Sequence, residues 1–331
     1  MRNEEIDRVA AALGRKVVES RTLAGGFSHE TCLLTLDDSQ VVARFGGGDP
    51  VVEAAVMRAA ARVVPVPEVL LVRPAVVLEF VAGTPLSDVI DTGGADAVLG
   101  AEVGRVLAAI GTVTFGRPGF FGGPAVAGGH LDPGEPALVP GEMPPWSEQM
   151  PELIPAWTAR APESRLDAAA KRDWVALCLA HAPALTRIDD QARLVHADAN
   201  PKNILVTRLP GGDWRVDAVL DWEFSHSGSP YADFANMTRF SDDYPAEFTD
   251  GFRSGFAAGR PDALTALDEQ VPDWAYLGRV MDMFALTDLL TRPAGHPVAD
   301  RAAREIRRWL RDGIPDYDTP DRNGIPDHDA K

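Results

Sequence analysis

One histidine, two aspartates and an asparagine lie at the ends of short apolar stretches, namely His196, Asp198, Asn203 and Asp221. Short apolar stretches that lead into polar residues predict buried strands whose polar ends share one edge. A carboxylate there could orient an attacking hydroxyl, while an asparagine and a second aspartate could hold magnesium on a phosphate chain. The alternative is that these residues only close a tight loop by hydrogen bonding to its backbone. That explanation suffices for any one of them, but the ordered set predicts phosphoryl transfer.

The spacing of this set is also that of a known family. His196, Asp198 and Asn203 form the pattern H-x-D-x4-N, and Asp221 follows eighteen residues after the asparagine. Together with the segment around Asp233, the chain resembles the aminoglycoside phosphotransferase family, a branch of the protein-kinase-like fold. The resemblance covers about residues 17 to 290. It implies a two-lobed α+β fold with a small antiparallel-sheet N-lobe and a larger, mainly helical C-lobe.

The resemblance further implies an enzyme that moves the terminal phosphate of ATP or GTP onto a small-molecule hydroxyl. Asp198 would orient that hydroxyl, and Asn203 and Asp221 would hold Mg²⁺. His196 would brace the loop, Lys202 would lie near the transferred phosphate, and Glu223 and Asp233 would have structural roles. The chain departs from the family around the loop, because Gly, Leu, His and Gly are frequent in relatives at the positions of Ala197, Ala199, Asn200 and Lys202. This leaves the subfamily open.

A glycine-containing turn is expected between the first two strands, at residues 17–23 and 31–36. Glycine lets backbone N–H groups approach phosphates because no Cβ intervenes. The turn therefore predicts a contact with the nucleotide phosphates through Gly25, Gly26, Phe27 and Ser28. Two adjacent glycines between strands are also compatible with an ordinary turn.

The next strand, at residues 41–45, carries Arg44 as its only cation. In enzymes of this fold a lysine on the third strand pairs the phosphates with a glutamate, and none of the four lysines of this chain lies in a strand of this region. We predict that Arg44 takes that place, with Glu53 in the first turn of the following helix as its partner. The alternatives are a surface arginine on an edge strand and a carboxylate favoured by the helix dipole.

Residues 66–72 and 75–81 predict two more strands and complete a five-stranded antiparallel sheet. The second strand ends at a segment that resembles the family's interlobe linker, so that Glu79 and Val81 are expected at the purine base, although any small sheet would have similar apolar walls. The predicted domains are a nucleotide-binding N-lobe at 1–83, a catalytic C-lobe at 84–313 and an acidic tail at 314–331.

Composition narrows the class of protein. The chain has 331 residues, 45% of them apolar, which suffices for a substantial core. Its charged start does not resemble a secretory signal, and no apolar stretch approaches the roughly 20 residues of a membrane helix. Cys32 and Cys178 lie in apolar stretches and indicate buried thiols in a reducing compartment. The net charge of −17 argues against nucleic acid and membranes as partners. We expect a cytoplasmic enzyme, monomeric or homodimeric.

Two segments outside these motifs stand out. Residues 116–145 are rich in glycine and proline, and we expect them to shape the acceptor entrance together with the helices after Asp233. The tail repeats a motif at 313–318 and 324–329. It resembles part of a calcium loop but has Ala330 where the bidentate glutamate would be, so we interpret it as an acidic surface tail.

The acceptor is the least determined feature. The Ala- and Arg-rich, Lys-poor composition is typical of high-GC actinobacteria, in which antibiotic-modifying kinases are common. The acceptor is therefore expected to be an antibiotic of the aminoglycoside, cyclic-peptide or nucleoside (capuramycin) type. The alternatives are a metabolite kinase for choline, homoserine or a sugar, and a non-catalytic binding protein of the same fold. The presence of Asp198, Asn203 and Asp221 disfavours the last.

Overall fold

The computed structural model describes residues 2–23, 30–122, 138–261, 273–293 and 295–317. The chain divides into two compact units. Unit 1 consists of Met1–Pro145 with Thr186–Ala266, and unit 2 consists of Trp146–Leu185 with Leu267–Lys331. The domain boundaries near residues 83 and 313 stay predictions.

Unit 1 begins with a five-stranded antiparallel sheet, as the sequence predicts. Its strands are β1 (Val17–Thr22), β2 (Glu30–Leu36), β3 (Gln40–Phe45), β4 (Val69–Leu71) and β5 (Val76–Glu79), in the order β1-β2-β3-β5-β4. Alternate residues of the central strands form one apolar face, which includes Cys32, Leu34 and Val41. The first helix, α1 (Arg2–Leu13), buries Ile6 and Val9 in the same cluster. The two-residue period therefore explains how this sheet forms its core.

The helix that follows β3 is α2 (Pro50–Ala60), and its start is well defined. The Asp49 side chain accepts a hydrogen bond from the Val51 N–H at 2.9 Å, and Pro50 occupies the first helical position. Val51 and Ala54 pack against Val72 on the strand side. This packing fixes the first turn of α2, so that its only carboxylate-bearing residue after the cap, Glu53, is buried.

In the described residues, the rest of unit 1 contains four α-helices and two small sheets. The helices are α3 (Leu86–Asp91), α4 (Ala97–Ile110), α7 (Tyr231–Thr238) and α8 (Ala246–Gly259). The sheets have the orders β10-β9-β6 and β7-β11-β8, built from β6 (Thr84–Pro85), β7 (Gly119–Phe120), β8 (Arg193–Val195), β9 (Ile204–Arg208), β10 (Trp214–Val219) and β11 (His226–Gly228). Helices α4 and α8 pack backbone to backbone, because a Cβ at Gly100 would lie 2.1 Å from the Phe248 carbonyl oxygen.

Unit 2 is helical. It consists of α5 (Trp146–Arg160), α6 (Ala168–His181), α9 (Trp274–Leu290) and α10 (Pro297–Asp312). The buried indole of Trp174 on α6 donates to the Thr287 hydroxyl on α9 at 2.9 Å, and Arg165 donates to the carbonyl oxygen of Leu290 at 2.8 Å. These bonds satisfy polar groups in an apolar interior. Together the strands of unit 1 and the helices of both units confirm the predicted kinase-like α+β class.

Two expectations from composition can be compared with the structure. Cys32 and Cys178 are both buried free thiols, and burial raises the pKa of Cys178 well above its usual range. In the described ranges of the chain, every helix is too short or too polar to cross a membrane. The second copy of the repeated tail motif lies outside the described residues.

Candidate active site

The predicted catalytic loop connects β8 to β9. Leu194 and Val195 of β8 are fully buried, and the chain then leaves the sheet through Asp198 and makes a 3₁₀ turn at Pro201–Asn203 before Ile204 begins β9. The Asn200 side chain caps this turn, because its Oδ1 accepts a hydrogen bond from the Lys202 N–H at 3.0 Å. The loop is therefore held at both ends by buried strands.

Asp198 lies at the centre of this loop and is oriented by two amides. Its Oδ1 accepts from Asn200 Nδ2 at 3.0 Å, and its Oδ2 accepts from Asn203 Nδ2 at 2.8 Å. Burial raises the pKa of this carboxyl, while nearby Arg239 and the two amides lower it. The arrangement fixes the direction of a carboxylate that could accept a proton from a hydroxyl group.

His196 connects the catalytic loop to the segment that carries Asp221. Its Nδ1 accepts from the Asp198 N–H at 3.1 Å, and its Nε2 donates to the Leu220 carbonyl oxygen at 2.8 Å. The imidazole is fully buried and packs against Trp222 in a tilted arrangement, with 4.6 Å between the ring centroids and 54° between the ring planes. Burial lowers its pKa, so that the ring is neutral near pH 7 and one nitrogen remains an acceptor. The contacts are those of a brace between two loops.

Helix α7 holds Ala197, the residue between His196 and Asp198, in place. Asp233 is fully buried, and its two carboxylate oxygens accept from the His196 and Ala197 N–H groups, each at 2.9 Å. Asn236, one turn further along α7, donates to the Ala197 carbonyl oxygen at 2.9 Å. Ala197 has a φ of 67°, which is unusual for a residue with a Cβ. These three hydrogen bonds hold the backbone in that conformation.

This clamp leads to a stability prediction. We expect Ala197→Gly to stabilise the protein by about 0.5–1 kcal/mol, because glycine relieves a left-handed strain of roughly 1–2 kcal/mol but gains freedom in the unfolded chain. Activity should be retained, since the clamp binds only the backbone. Chemical denaturation of the two proteins measures the difference.

Ala199→Gly is the matched control. Ala199 is fully buried and is not among the residues with positive φ, so its loss of a methyl group should destabilise by about 1 kcal/mol. If both variants are destabilised to a similar extent, the left-handed backbone at Ala197 carries no strain.

Arg44 joins the N-terminal sheet to the predicted metal aspartate. It lies on β3, a central strand, and is 8% exposed. Its guanidinium pairs with the buried Glu53 carboxylate through Nη1, and its Nη2 lies 2.6 Å from Asp221 Oδ1. The interpretation of Arg44 as a surface residue on an edge strand is therefore wrong. The fork of the guanidinium lets one side chain hold two carboxylates.

Asp221, which pairs with Arg44, forms a candidate magnesium site together with Asn203. Asn203 uses its Nδ2 for the bonds to Asp198, which leaves its Oδ1 as a ligand atom, and Asp221 has a second carboxylate oxygen beyond the one that faces Arg44. An amide and a carboxylate oxygen are the hard donors that Mg²⁺ takes, with phosphate and water oxygens completing its shell. The donor set of the described residues fits this ion.

We expect Arg44→Ala to lower kcat/KM for the nucleotide by about 10²-fold, consistent with the loss of a buried charge partner at about 3 kcal/mol. Arg44→Lys should retain part of the activity because it keeps the charge but loses the fork. Steady-state kinetics with varied nucleotide measures both.

Arg21→Ala removes an exposed arginine from β1 of the same sheet and serves as the control. Wild-type nucleotide kinetics in Arg44→Ala as well as in Arg21→Ala would exclude the assigned role.

The other predicted site residues differ in whether the structure describes them and in where they lie in the fold. Gly25, Gly26, Phe27 and Ser28 fall outside the described residues. Glu79 ends β5 and Val81 follows in the extended segment before β6, with Glu79 Oε2 accepting from the Glu68 N–H at 3.4 Å. Lys202 is exposed in the 3₁₀ turn next to Asn203, and Glu223 is two residues beyond Asp221. Their proposed roles stay predictions.

Two residues that interact with the predicted catalytic loop, Asn236 and Arg239, do not belong to any motif recognised in the sequence. Asn236 donates to the predicted catalytic loop from α7, and the charge of Arg239, directly after that helix, lowers the pKa of Asp198. The three-residue spacing between Asp233 and Asn236 places both on one face of a helix. That spacing was the available signal, but it becomes informative only once the helix is known to pack on the loop.

The chain is similar to one protein family in sequence and to several solved structures in fold. A sequence model of a family described as the phosphotransferase enzyme family matches residues 19–269. No curated protein gives a significant match. Among solved structures, aminoglycoside phosphotransferase APH(4)-Ia superimposes with a TM-score of 0.66 at 18% identity, over 94% of this chain and 99% of that chain.

Two further structures are similar. A ternary complex of a thermostable mutant of APH(4)-Ia with ADP and hygromycin B has a TM-score of 0.64 at 18% identity, over 92% of this chain and 97% of that one. The macrolide 2'-phosphotransferase MphH from Brachybacterium faecium has a TM-score of 0.51 at 20% identity, over 91% and 97% of the two chains. At these identities the structural likeness shows the fold alone.

Proposed function

The chain belongs to the phosphotransferase enzyme family, and on that premise we propose that its acceptor is a hydroxyl group of an antibiotic. Family membership confirms the resemblance seen in the sequence and identifies the chain as an enzyme that transfers phosphate to hydroxyl groups. Within the proposal, ATP or GTP is the phosphate donor, and modification of the antibiotic confers resistance.

The observation that carries the proposal is the setting of Asp198. Two amides fix its carboxylate, and one of them belongs to Asn203, which we propose as a metal ligand together with Asp221. A hydroxyl that donates to Asp198 would have its oxygen oriented for attack on a phosphate held by the neighbouring residues. As the oxygen bonds to the terminal phosphorus, the bond from that phosphorus to the nucleoside diphosphate breaks, the diphosphate leaves, and the carboxylate accepts the proton of the hydroxyl. When bound, Mg²⁺ neutralises charge on the phosphates.

Arg44 has a second task in this proposal. In the structure it pairs with both Glu53 and Asp221. Phosphate oxygens are stronger partners for a guanidinium fork than a carboxylate that also has to bind a metal. We infer that Arg44 turns from Asp221 to the nucleotide phosphates and keeps Glu53 as its anchor, which frees both oxygens of Asp221 for the metal.

The choice of an antibiotic acceptor rests on two supports. The complex of the similar phosphotransferase contains hygromycin B, and a second similar structure is a macrolide phosphotransferase. The net charge of −17 favours a cationic acceptor through long-range attraction. Aminoglycosides agree with both the similar structures and the negative charge. Cyclic peptides and capuramycin-type nucleosides also belong to the proposed class of antibiotic acceptors. A choline, homoserine or sugar kinase would use the same residues and is the alternative.

A screen of nucleotide consumption tests the acceptor class. Purified enzyme with Mg²⁺ and ATP or GTP is incubated with a panel of antibiotics and a panel of metabolites, and Asp198→Asn is the blank. We expect consumption above the blank with one antibiotic class. Consumption with choline, homoserine or a sugar alone would establish the metabolic alternative.

The raised pKa of Asp198 gives a pH prediction. Because burial favours the protonated form, the carboxylate needed as proton acceptor is lost at a higher pH than for an ordinary aspartate. The acid limb of kcat/KM should therefore lie above the usual aspartate range. Asn200→Ala removes a hydrogen bond that lowers this pKa, so it should move the limb further upward. An unchanged limb in Asn200→Ala, measured across the acid range, would assign the limb to another group.

A further inference from the structure

Strand β1 forms one edge of the five-stranded sheet in unit 1. It pairs with β2 on one side, and no strand among the described residues pairs with its other side. The residues from Val18 to Thr22 are all exposed, and Val18 is 64% exposed. An edge strand of this kind presents a row of backbone N–H and C=O groups to which another strand can bond. We refer to Val17–Thr22 as the β1 edge.

The direction of the backbone groups along the β1 edge follows from one hydrogen bond. The Leu23 N–H, directly after β1, donates to a carbonyl oxygen of β2 at 2.9 Å. The pairing with β2 is regular from Glu19 onward, and backbone groups alternate in direction along a strand. Those of Arg21 and Glu19 therefore also face β2. The backbone groups of Ser20 and Thr22 face away from the sheet, where a further strand can bond to them.

A second copy of the β1 edge can pair antiparallel to the first about a two-fold axis. Residues whose backbone groups face outward must lie opposite each other, so the register can change only in steps of two residues. When Ser20 lies opposite Ser20 of the second copy, Glu19 lies opposite Arg21 of the second copy, and the reverse pair forms across the axis. A step of two residues in either direction brings the two copies of Glu19, or the two copies of Arg21, together.

The charges of the β1 edge select one of these registers. Charged side chains on an edge strand often keep other strands away. Like charges directly opposite each other are destabilising, whereas opposite charges stabilise a strand pair. Glu19 and Arg21 therefore repel a second copy in the shifted registers and attract it in the register centred on Ser20. In that register Val18 also lies beside Thr22 of the second copy, so that both lose exposed apolar surface.

Two effects limit the strength of this pairing. Two copies with a net charge of −17 each repel one another at a distance. At physiological salt the Debye length is about 8 Å, so this repulsion is largely screened, while charges in direct contact across the β1 edge still interact. One pair of short strands also buries less surface than the interface of a permanent dimer. The expected association is therefore weak and depends on protein concentration.

We propose that the β1 edge is a self-association surface, at which two copies of the chain pair antiparallel about Ser20 and join their sheets into one continuous sheet. This surface does not depend on the identity of the phosphate acceptor or on the proposed roles of Arg44 and Asp221, so it can be tested without any substrate.

Sedimentation velocity of the full chain at physiological salt measures the association. Between about 1 and 300 µM we expect a monomer–dimer equilibrium with a dissociation constant on the order of 10 µM. A wild-type chain that stays monomeric throughout this range would overturn the proposal. Kinetic assays use enzyme far below this dissociation constant, so the kinetics of Arg21→Ala report the monomer.

Charge reversal tests whether the β1 edge forms the dimer. Arg21→Glu and Glu19→Arg each place like charges opposite one another and should weaken the dimer at least about tenfold. Arg304→Glu makes the same change in net charge as Arg21→Glu at an exposed residue of α10, and it should leave the dissociation constant unchanged. A dimer that Arg21→Glu and Glu19→Arg do not weaken would use another surface and reject the proposal.

Exchange of the two charges tests the register. The double variant Glu19→Arg/Arg21→Glu restores opposite charges across the axis and should associate as the wild type does. An equimolar mixture of Arg21→Glu with Glu19→Arg should form a dimer for the same reason, although each variant alone is monomeric. If the double variant and the mixture both stay monomeric, the register centred on Ser20 is excluded.

The hydrogen bonds of the pairing are tested without a change of charge. Ser20→Pro removes an N–H that faces away from β2 and keeps the N–H groups that face β2, so an edge strand should tolerate it. We expect a folded monomer, with folding checked by circular dichroism. An undiminished dimer in folded Ser20→Pro would exclude strand pairing. If Ser20→Pro does not fold, the charge exchange still decides the question.

Discussion

Asp198→Asn is expected to bind nucleotide as the wild type does and to lose about 10²-fold or more in turnover. Asparagine keeps the size of the side chain but cannot accept a proton from the hydroxyl. The two amides of Asn200 and Asn203 that now donate to the carboxylate would lose part of their hydrogen bonding, so the acceptor would also be less well oriented. The effect should therefore appear in kcat rather than in the KM for the nucleotide.

Steady-state kinetics with the acceptor from the screen measures this loss, and calorimetric titration of the nucleotide measures its binding. Asp190→Asn is the matched control, because it makes the same substitution at an exposed position eight residues earlier. Wild-type turnover in Asp198→Asn would remove this residue from the mechanism. Failure to bind nucleotide would instead indicate that the loop has lost its structure.

Loss of Asp221 should be more damaging than loss of Asn203. Asn203→Ala removes one proposed neutral metal ligand, whereas Asp221→Ala removes a proposed ligand, the charge that would offset Mg²⁺ and the partner of Arg44. We expect Asp221→Ala to lower activity at least about tenfold more than Asn203→Ala, with only partial recovery at high Mg²⁺. Activity as a function of Mg²⁺ concentration measures both losses.

Asp221→Asn separates the charge from the backbone. Asp221 has a φ of 67°, which asparagine tolerates better than alanine does. If charge is decisive, Asp221→Asn should be nearly as inactive as Asp221→Ala while remaining more stable than Asp221→Ala. Full activity of the wild type in the presence of EDTA would show that no divalent ion takes part.

Much of the fold follows from local patterns in the sequence. The alternation of apolar residues in β2 and β3 predicts two strands that share a buried face, and Cys32, Leu34 and Val41 lie there together. The strand predicted over residues 31–36 lies within β2, at Glu30–Leu36. The short strands β7 and β11 were not predicted, because two or three residues with glycine show no periodicity.

The order of the strands in the sheet cannot be predicted from local sequence patterns. The sequence places Arg44 on a strand but does not say that β5 pairs with β3 and makes it a central strand. That pairing buries Arg44. Because the contacts of Arg44 with Glu53 and Asp221 are shielded from water, the loss of one partner is costly. An edge position was equally compatible with the residues, because strand order depends on contacts between distant segments.

The candidate site likewise has a part that local sequence patterns predict and a part that depends on contacts between distant segments. The spacing from His196 to Asp221 identifies the residues of the loop, because each ends a recognisable strand or turn. The clamp from Asp233 and Asn236 spans more than thirty residues of chain. It depends on how α7 packs against the loop, which no local pattern encodes. A glycine expected at position 197 by resemblance was the one hint that the backbone there is special, and Ala197 indeed has a positive φ.

The central claim is that this site transfers the terminal phosphate of a nucleotide to an antibiotic hydroxyl. The most direct measurement uses a nucleotide labelled in its terminal phosphate, incubated with the enzyme, Mg²⁺ and each antibiotic, and follows the label into the isolated acceptor. We predict label in one antibiotic class with the wild type and in none with Asp198→Asn. Label that stays in the nucleotide or in free phosphate for every antibiotic, or that reaches the acceptor equally with Asp198→Asn, would contradict the claim.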